Sequence, residues 1–231
     1  GWLHEDLGQA EAGLWWSARA MEWAQEADDP PRQAFILMRK AQQAVGLMQQ
    51  QRAVSLASAA LRVRGDVPTR IQASAHLQQA HGHALAGDEI EAFRALDAAC
   101  ELMAPMAPES ASSTDHLGGY CVPAYADAQR AAVQLRLGRP SDAVTTFEQA
   151  LTDWPEIYQR ERGLHLARLA NAYAADRTPD AACATAMQAL EITRETESRR
   201  TTAELRRVVT CLAPWRRTPM VRDLAEAVAT I

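Results

Sequence analysis

Lysine is almost missing from this chain: Lys40 is the only one among 231 residues, against 23 arginines. Aromatics are scarce at 6%, and no stretch sustains the alternation of apolar and polar residues that a half-buried strand requires. A sheet architecture is therefore excluded and helix is expected. Cysteine is sparse too, at positions 100, 121, 183 and 211, with no Cys-x-x-Cys pair and no histidine at zinc-finger spacing. That spacing excludes a disulfide scaffold and a finger-type metal site, and fits reduced core thiols in a cytoplasm. No apolar run approaches the roughly eighteen residues of a membrane span, and no basic stretch leads into an apolar one at the start. A cytoplasmic protein without a membrane partner is the expectation. Positive charge is not in excess either. The net charge of −5 gives the whole chain no electrostatic footprint for nucleic acid.

What is present is alanine, 47 residues, joined by 11 glycines. They are not scattered. Ala80, Gly87, Ala92 and Ala99 follow one another by steps of seven, five and seven, and the same steps link Ala131, Gly138, Ala143 and Ala150. They recur in Ala170, Arg177, Ala182 and Ala189, in Ala41, Met48, Ala53 and Ala60, and in Gly1, Gly8, Gly13 and Ala20. Three of the four columns hold only Gly or Ala in all five copies, which chance gives with a probability on the order of 10⁻⁹, so the chain is read as a repeat array.

Each column has a physical task. Two antiparallel helices approach to about 8–10 Å only where the side chains at their crossing are small, so three columns mark crossings. The second column marks the hairpin turn, where Gly8, Gly87 and Gly138 can take the left-handed conformation that ends a helix. Met48 and Arg177 lack that freedom. Those two turns are expected to differ, with Gly46 closing the first of them. Pro140 and Pro179 stand where a following helix begins.

The repeats so defined cover about 1–30, 31–65, 68–104, 121–155 and 156–195 of a single domain. The Pro-, Ser- and Gly-rich segment 104–120 fits no helical period and reads as an inserted loop. The stretch 196–231 breaks the columns and reads as a capping helix pair, which such arrays need. The fold expected is all-α: a right-handed superhelix, or solenoid, of five helix hairpins and a cap. Gly1 occupies a crossing column midway along the first helix, so sequence upstream of it is expected to be missing.

The columns resemble the tetratricopeptide repeat, most closely in Gly138, Ala143, Phe147, Ala150 and Pro155. Beyond the columns, the stretches GWLHEDLG, FILMRKAQQA, RERGLHLARLANAYA and DAACATAMQALEI look like the C-terminal repeat region of actinobacterial helix-turn-helix regulators of the Cro/repressor (XRE) type. The arginine-for-lysine usage is that of a GC-rich genome and agrees with such an origin. The resemblance implies a ligand- or peptide-sensing and dimerisation module of a bacterial transcriptional regulator. Its DNA binding would belong to a helix-turn-helix domain preceding this sequence, and the alternative reading is a constitutive protein-protein interaction scaffold with no small ligand.

In such arrays the first helix of each pair lines the concave surface, and the residue after the first crossing column looks into it: Trp2, Gln42, His81, Ala132 and Asn171. About one turn back lie Arg39, Gln78, Gln129 and Arg168, with Phe35, Tyr125 and Leu164 toward the entrance. Trp2, Arg39, Gln42, Gln78, His81, Tyr125, Gln129, Arg168 and Asn171 are the candidate groove residues. Amides can bind a peptide backbone, arginines its carboxylates, and aromatic rings its side chains. Arg168 and Asn171, an amide and a guanidinium one turn apart, suit a backbone and a carboxylate together.

Eight arginines between 194 and 222 face three glutamates, a local net charge of +5. Arg199 and Arg206, like Arg200 and Arg207, are seven apart on one face and form a candidate dock for an acidic partner, a preceding domain or a DNA backbone, set against a merely solvated cap. Trp16 and Trp23 share a helix face and are expected in the core. Trp15 lies off that face, available to a missing segment or a homodimer contact. Glu5 and Asp6 are expected in solvent. His76, His81 and His83 lack the spacing of three or four that a shared metal needs, and no Gly-x-Ser-x-Gly, phosphate loop or His-Glu-x-x-His occurs. No enzyme and no cofactor are expected.

Overall fold

The computed structural model of the chain describes residues 1–104 and 117–231. Among them are twelve α-helices and no strand: α1 (Trp2–Asp6), α2 (Ala10–Glu26), α3 (Pro30–Gly46), α4 (Gln50–Leu61), α5 (Thr69–Ala86), α6 (Glu89–Met103), α7 (Pro123–Arg136), α8 (Pro140–Thr152), α9 (Gln159–Ala175), α10 (Pro179–Thr196), α11 (Arg199–Cys211) and α12 (Pro219–Ala229). Most of the expected inserted loop, residues 105–116, lies outside the described residues. Its end, 117–120, is a turn tied to α5 by Arg70, which donates to the Gly119 carbonyl at 3.0 Å.

The helices fall into two compact units. One comprises Gly1 and Ala10–Leu137, the other Trp2–Gln9 and Gly138–Ile231. In the first, α3 pairs with α4 and α5 with α6, while α2 packs on α3, α3 and α4 on α5, and α5 and α6 on α7. In the second, α8 packs on α9, α9 pairs with α10, α11 lies against α9 and α10, and α12 covers α10 and α11. The short α1 packs on α11.

The small-residue columns are the places where helices meet. Ala41, Ala80, Ala131 and Ala170 have no exposed surface, nor do Ala53, Ala92, Ala143 and Ala182. Ala60, Ala99, Ala150 and Ala189 are at most 3% exposed; in the first copy Gly13 is buried, Ala20 is half-buried and Gly1 is exposed. Gly82 adds a close approach outside the columns: a Cβ there would sit 2.6 Å from Val54 Cγ2, so α5 and α4 meet backbone to side chain.

The turn column departs from expectation. All five residues take the left-handed conformation: Gly8, Gly87 and Gly138 at φ 76 to 77°, and also Met48 at 58° and Arg177 at 64°. Gly46 does not close the turn; it is the last residue of α3. The two hydrogen bonds are the same with or without glycine. Gly87 and Asp88 donate to Ala84 and His83 at 3.1 and 2.9 Å, and Met48 and Gln49 donate to Val45 and Ala44 at 3.1 and 2.9 Å. Satisfying otherwise orphaned carbonyls outweighs a left-handed penalty of roughly 1 kcal/mol. Arg177→Gly and Met48→Gly are therefore expected to raise stability by about 0.5–1 kcal/mol each, less the entropy glycine adds to the unfolded chain. A lower urea midpoint in Arg177→Gly would contradict this account of the turn.

Helix starts follow local chemistry. Pro30, Pro123, Pro140, Pro179 and Pro219 open five helices, where the missing N–H costs nothing. Asp29, Asp88 and Ser198 cap α3, α6 and α11 by accepting from the backbone N–H of Arg32, Glu91 and Thr201 at 2.9, 3.2 and 3.3 Å. The bond from Arg32 N–H holds the Asp29 carboxyl below its ordinary value.

Two sequence expectations about the interior fail. Cys121 and Cys183 are core thiols, with burial pushing Cys121 up to about 11, but Cys100 is half-buried and Cys211 exposed. Trp16 and Trp23, expected in the core, are 39% and 48% exposed on α2, and Trp15 is 59% exposed. Helix α2 buries Gly13, Ser17 and Ala24 and leaves the larger rings outside, where Trp15 meets Trp16 edge to face and Arg19 stacks on Trp23 at 5.2 Å.

Candidate functional site

The expected groove residues lie on the first helices of their pairs, and the two compact units hold separate sets of them. In the first unit, Arg39 donates to Gln42 one turn on along α3, and both remain half-buried. Gln78, His81, Tyr125 and Gln129 are buried, at 2%, 4%, 6% and 5% exposure. Because α5 packs directly on α7, His81 Nε2 and Gln129 Oε1 come within 2.7 Å. These two side chains, expected to face a ligand, join two helices instead.

Tyr125 packs edge to face on Tyr120, with ring centroids 5.3 Å apart, and the Tyr120 hydroxyl donates to Met38 Sδ at 3.9 Å. Burial raises the Tyr120 phenol above its ordinary value, opposed by the nearby Arg39 guanidinium. A similar bond ties α2 to α3: Gln43 donates to the Gly13 carbonyl at 3.2 Å and to Ser17 Oγ at 2.8 Å. On the other side of α5, Gln79 bonds His76 Nδ1 at 2.9 Å and donates to Ser58 of α4, also at 2.9 Å. Burial pushes the His76 imidazole below its ordinary value.

In the second unit, Asn171 is 8% exposed and donates to both the backbone carbonyl and the carboxylate of Glu204, each at 3.3 Å. Arg168 Nε lies 3.9 Å from the same carboxylate, and Arg207 donates to it at 3.0 Å. The amide and guanidinium thus do hold a carboxylate and a carbonyl together. Both belong to α11 of this chain, so the pair is not the solvent-facing one expected.

The candidate docking arginines divide the same way. Arg199, Arg206 and Arg207 are exposed, with Arg206 donating to the Ile231 carbonyl at 2.9 Å. Arg200 is taken up internally, by Asp6.

Sequence reasoning missed Asp6, which was expected in solvent. It has no exposed surface. Arg160 donates to its Oδ2, while Ser198 Oγ and Arg200 Nε donate to its Oδ1 at 2.8 and 3.1 Å. Trp2 is half-buried beside it, its ring centroid 6.0 Å from the Arg160 guanidinium and 5.9 Å from that of Arg200. The only signal in the sequence was the spacing of Trp2 and Asp6, four apart and hence on one helix face.

Among the described residues, no group of His, Cys, Asp and Glu side chains could hold a metal ion, and no helix is long and apolar enough to cross a membrane. No protein-family model and no curated protein matches the chain. Solved structures do. A Podosopora anserina protein described as a kinesin light chain with nearly identical TPR-like repeats matches at a TM-score of 0.54, and a single-substitution variant of it at 0.55. Each is 18% identical, with 84% of this chain and 92% of that chain covered. The likeness establishes the fold: an all-α helical-repeat array of the tetratricopeptide type.

Proposed function

We propose that the chain is a protein-interaction module, neither an enzyme nor a receptor for a small molecule, and that it engages its partner through exposed tryptophan and arginine. One observation carries this reading. The polar groove side chains best suited to a small ligand are bonded within the chain, His81 to Gln129 and Asn171 to Glu204. By contrast, Trp15, Trp16 and Trp23 on α2 and Arg199, Arg206 and Arg207 on α11 are exposed. Tryptophan and arginine are the residue types that contribute most at protein interfaces.

The sequence resemblance to the repeat region of Cro/repressor-type regulators supports a narrower form. In it, the module sits in the cytoplasm of an actinobacterium, pairs as a homodimer, and passes a peptide signal or partner contact to a DNA-binding domain joined upstream. A signal acts there only by preferring one of two dimer geometries.

Selection of displayed peptides against the immobilised full chain tests the broader reading. Selected peptides are expected to lose at least tenfold in affinity, about 1.4 kcal/mol, in either the Trp15→Ala/Trp16→Ala or the Arg206→Glu/Arg207→Glu chain. Peptides indifferent to both pairs would overturn it. So would a small molecule that copurifies in stoichiometric amount and is lost in Asn171→Ala.

A further inference from the structure

The geometry points to a peptide-recognition site on α9 and α11 that accepts one helical turn carrying an aromatic ring and a carboxylate four residues apart, filled in this chain by its own α1. The inference deepens the protein-interaction reading and rests on it: the partner segment is an acidic, aromatic-bearing helical turn that displaces Trp2–Asp6.

The receptor half is built without help from α1. Arg160 stands at the start of α9, a helix of 17 residues, and its second nitrogen donates to the Thr196 carbonyl at 2.5 Å. Ser198 caps α11, accepting from Thr201 N–H, and so aims its own hydroxyl proton outward at the carboxylate. Arg200 follows in the first turn of α11. The positive end of that helix favours an anion at the same place. Three donors and a helix terminus converge on one carboxylate, and two guanidinium planes flank one ring. Each is a recognised way of reading such groups.

The occupant half buries little apolar surface. Leu3 and Leu7 are 62% and 51% exposed, so apolar burial by α1 is confined mainly to Trp2. The Asp6 carboxylate and the Trp2 ring meet arginines whose side chains are 30% and 27% exposed. A segment with few buried apolar contacts opens at low cost, and a charge contact that reaches solvent weakens with salt.

The test uses the full chain and a fluorescein-labelled peptide of residues 1–9, GWLHEDLGQ, read by fluorescence polarisation. The Asp6→Ala chain is expected to bind the peptide at least tenfold more tightly than wild type, because its own α1 no longer competes. The same peptide carrying Asp6→Asn is expected to bind that chain at least tenfold more weakly, and Arg160→Ala in the Asp6→Ala chain to abolish binding. Binding should also weaken severalfold between 50 and 500 mM salt. Trp2→Ala supplies a second open chain should Asp6→Ala fail to give a helical circular-dichroism spectrum.

A folded open chain that ignores the peptide at millimolar concentration, or binds it regardless of Asp6→Asn, would overturn the inference. Loss of the fold in both variants would do the same, since an exchangeable α1 must be dispensable. Any of these results leaves the exposed tryptophans and arginines, and the displayed-peptide test of them, untouched.

Discussion

Phe147→Ala is expected to cost the second compact unit about 3–5 kcal/mol, the usual loss when a fully buried aromatic is cut back and its cavity stays open. Phe147 projects from α8 and has no exposed surface. Its ring lies 6.2 Å from that of His165 on α9, which in turn lies 4.9 Å from the ring of Trp154. Trp154 cannot swing in to fill the space without giving up the bond from its indole N–H to the Tyr158 carbonyl, 3.0 Å long. The cavity is therefore walled by side chains already committed elsewhere. Because the chain has two compact units, a single midpoint would blend two responses. Hydrogen exchange resolved by segment is the suitable measurement. Protection in α8 and α9 should fall steeply while α3 to α6 keep theirs. Unchanged protection in α8 would remove Phe147 from the core.

Ala99→Leu and Ala150→Leu are expected to destabilise by about 1–3 kcal/mol or more each, through the opposite fault. Both sites are crossings, Ala99 on α6 with no exposed surface and Ala150 on α8 at 3%. A leucine there has no space to enter, so the helices must separate or the side chain must leave its rotamer wells. The two substitutions fall in different compact units, so their effects should add within about 0.5 kcal/mol. Urea midpoints at the wild-type value for both would show that these alanines do not mark crossings.

The crossings could be read from sequence because close approach admits few side chains, and so composition at those positions reports geometry directly. The turns could be read only in part. A left-handed residue can be bought from glycine cheaply, yet Met48 and Arg177 adopt the same conformation because the hydrogen bonds around them require it, and their identity carries no trace of that. The groove side chains were placed on the correct helices but given the wrong surroundings. Whether Asn171 faces water or Glu204 depends on how α11 packs over α9, a relation between residues 33 apart that no local period encodes. Asp6 is the extreme case, since its partners are 154 to 194 positions away. The tryptophans of α2 misled for a related reason. Spacing assigns them to shared faces, and only the packing decides which face is covered.

The side-chain hydrogen bonds between successive first helices have a mechanical consequence. His81 and Gln129 meet across α5 and α7, and Asn171 meets Glu204 across α9 and α11. Sliding either pair of helices by one turn, about 5.4 Å, would strand buried donors and acceptors at roughly 1–3 kcal/mol for each orphaned group. Alanine-lined crossings alone offer little resistance to such sliding, because one alanine resembles the next. The polar pairs act as detents inside each compact unit, so tension on a unit should yield by abrupt release of whole helices and not by gradual creep.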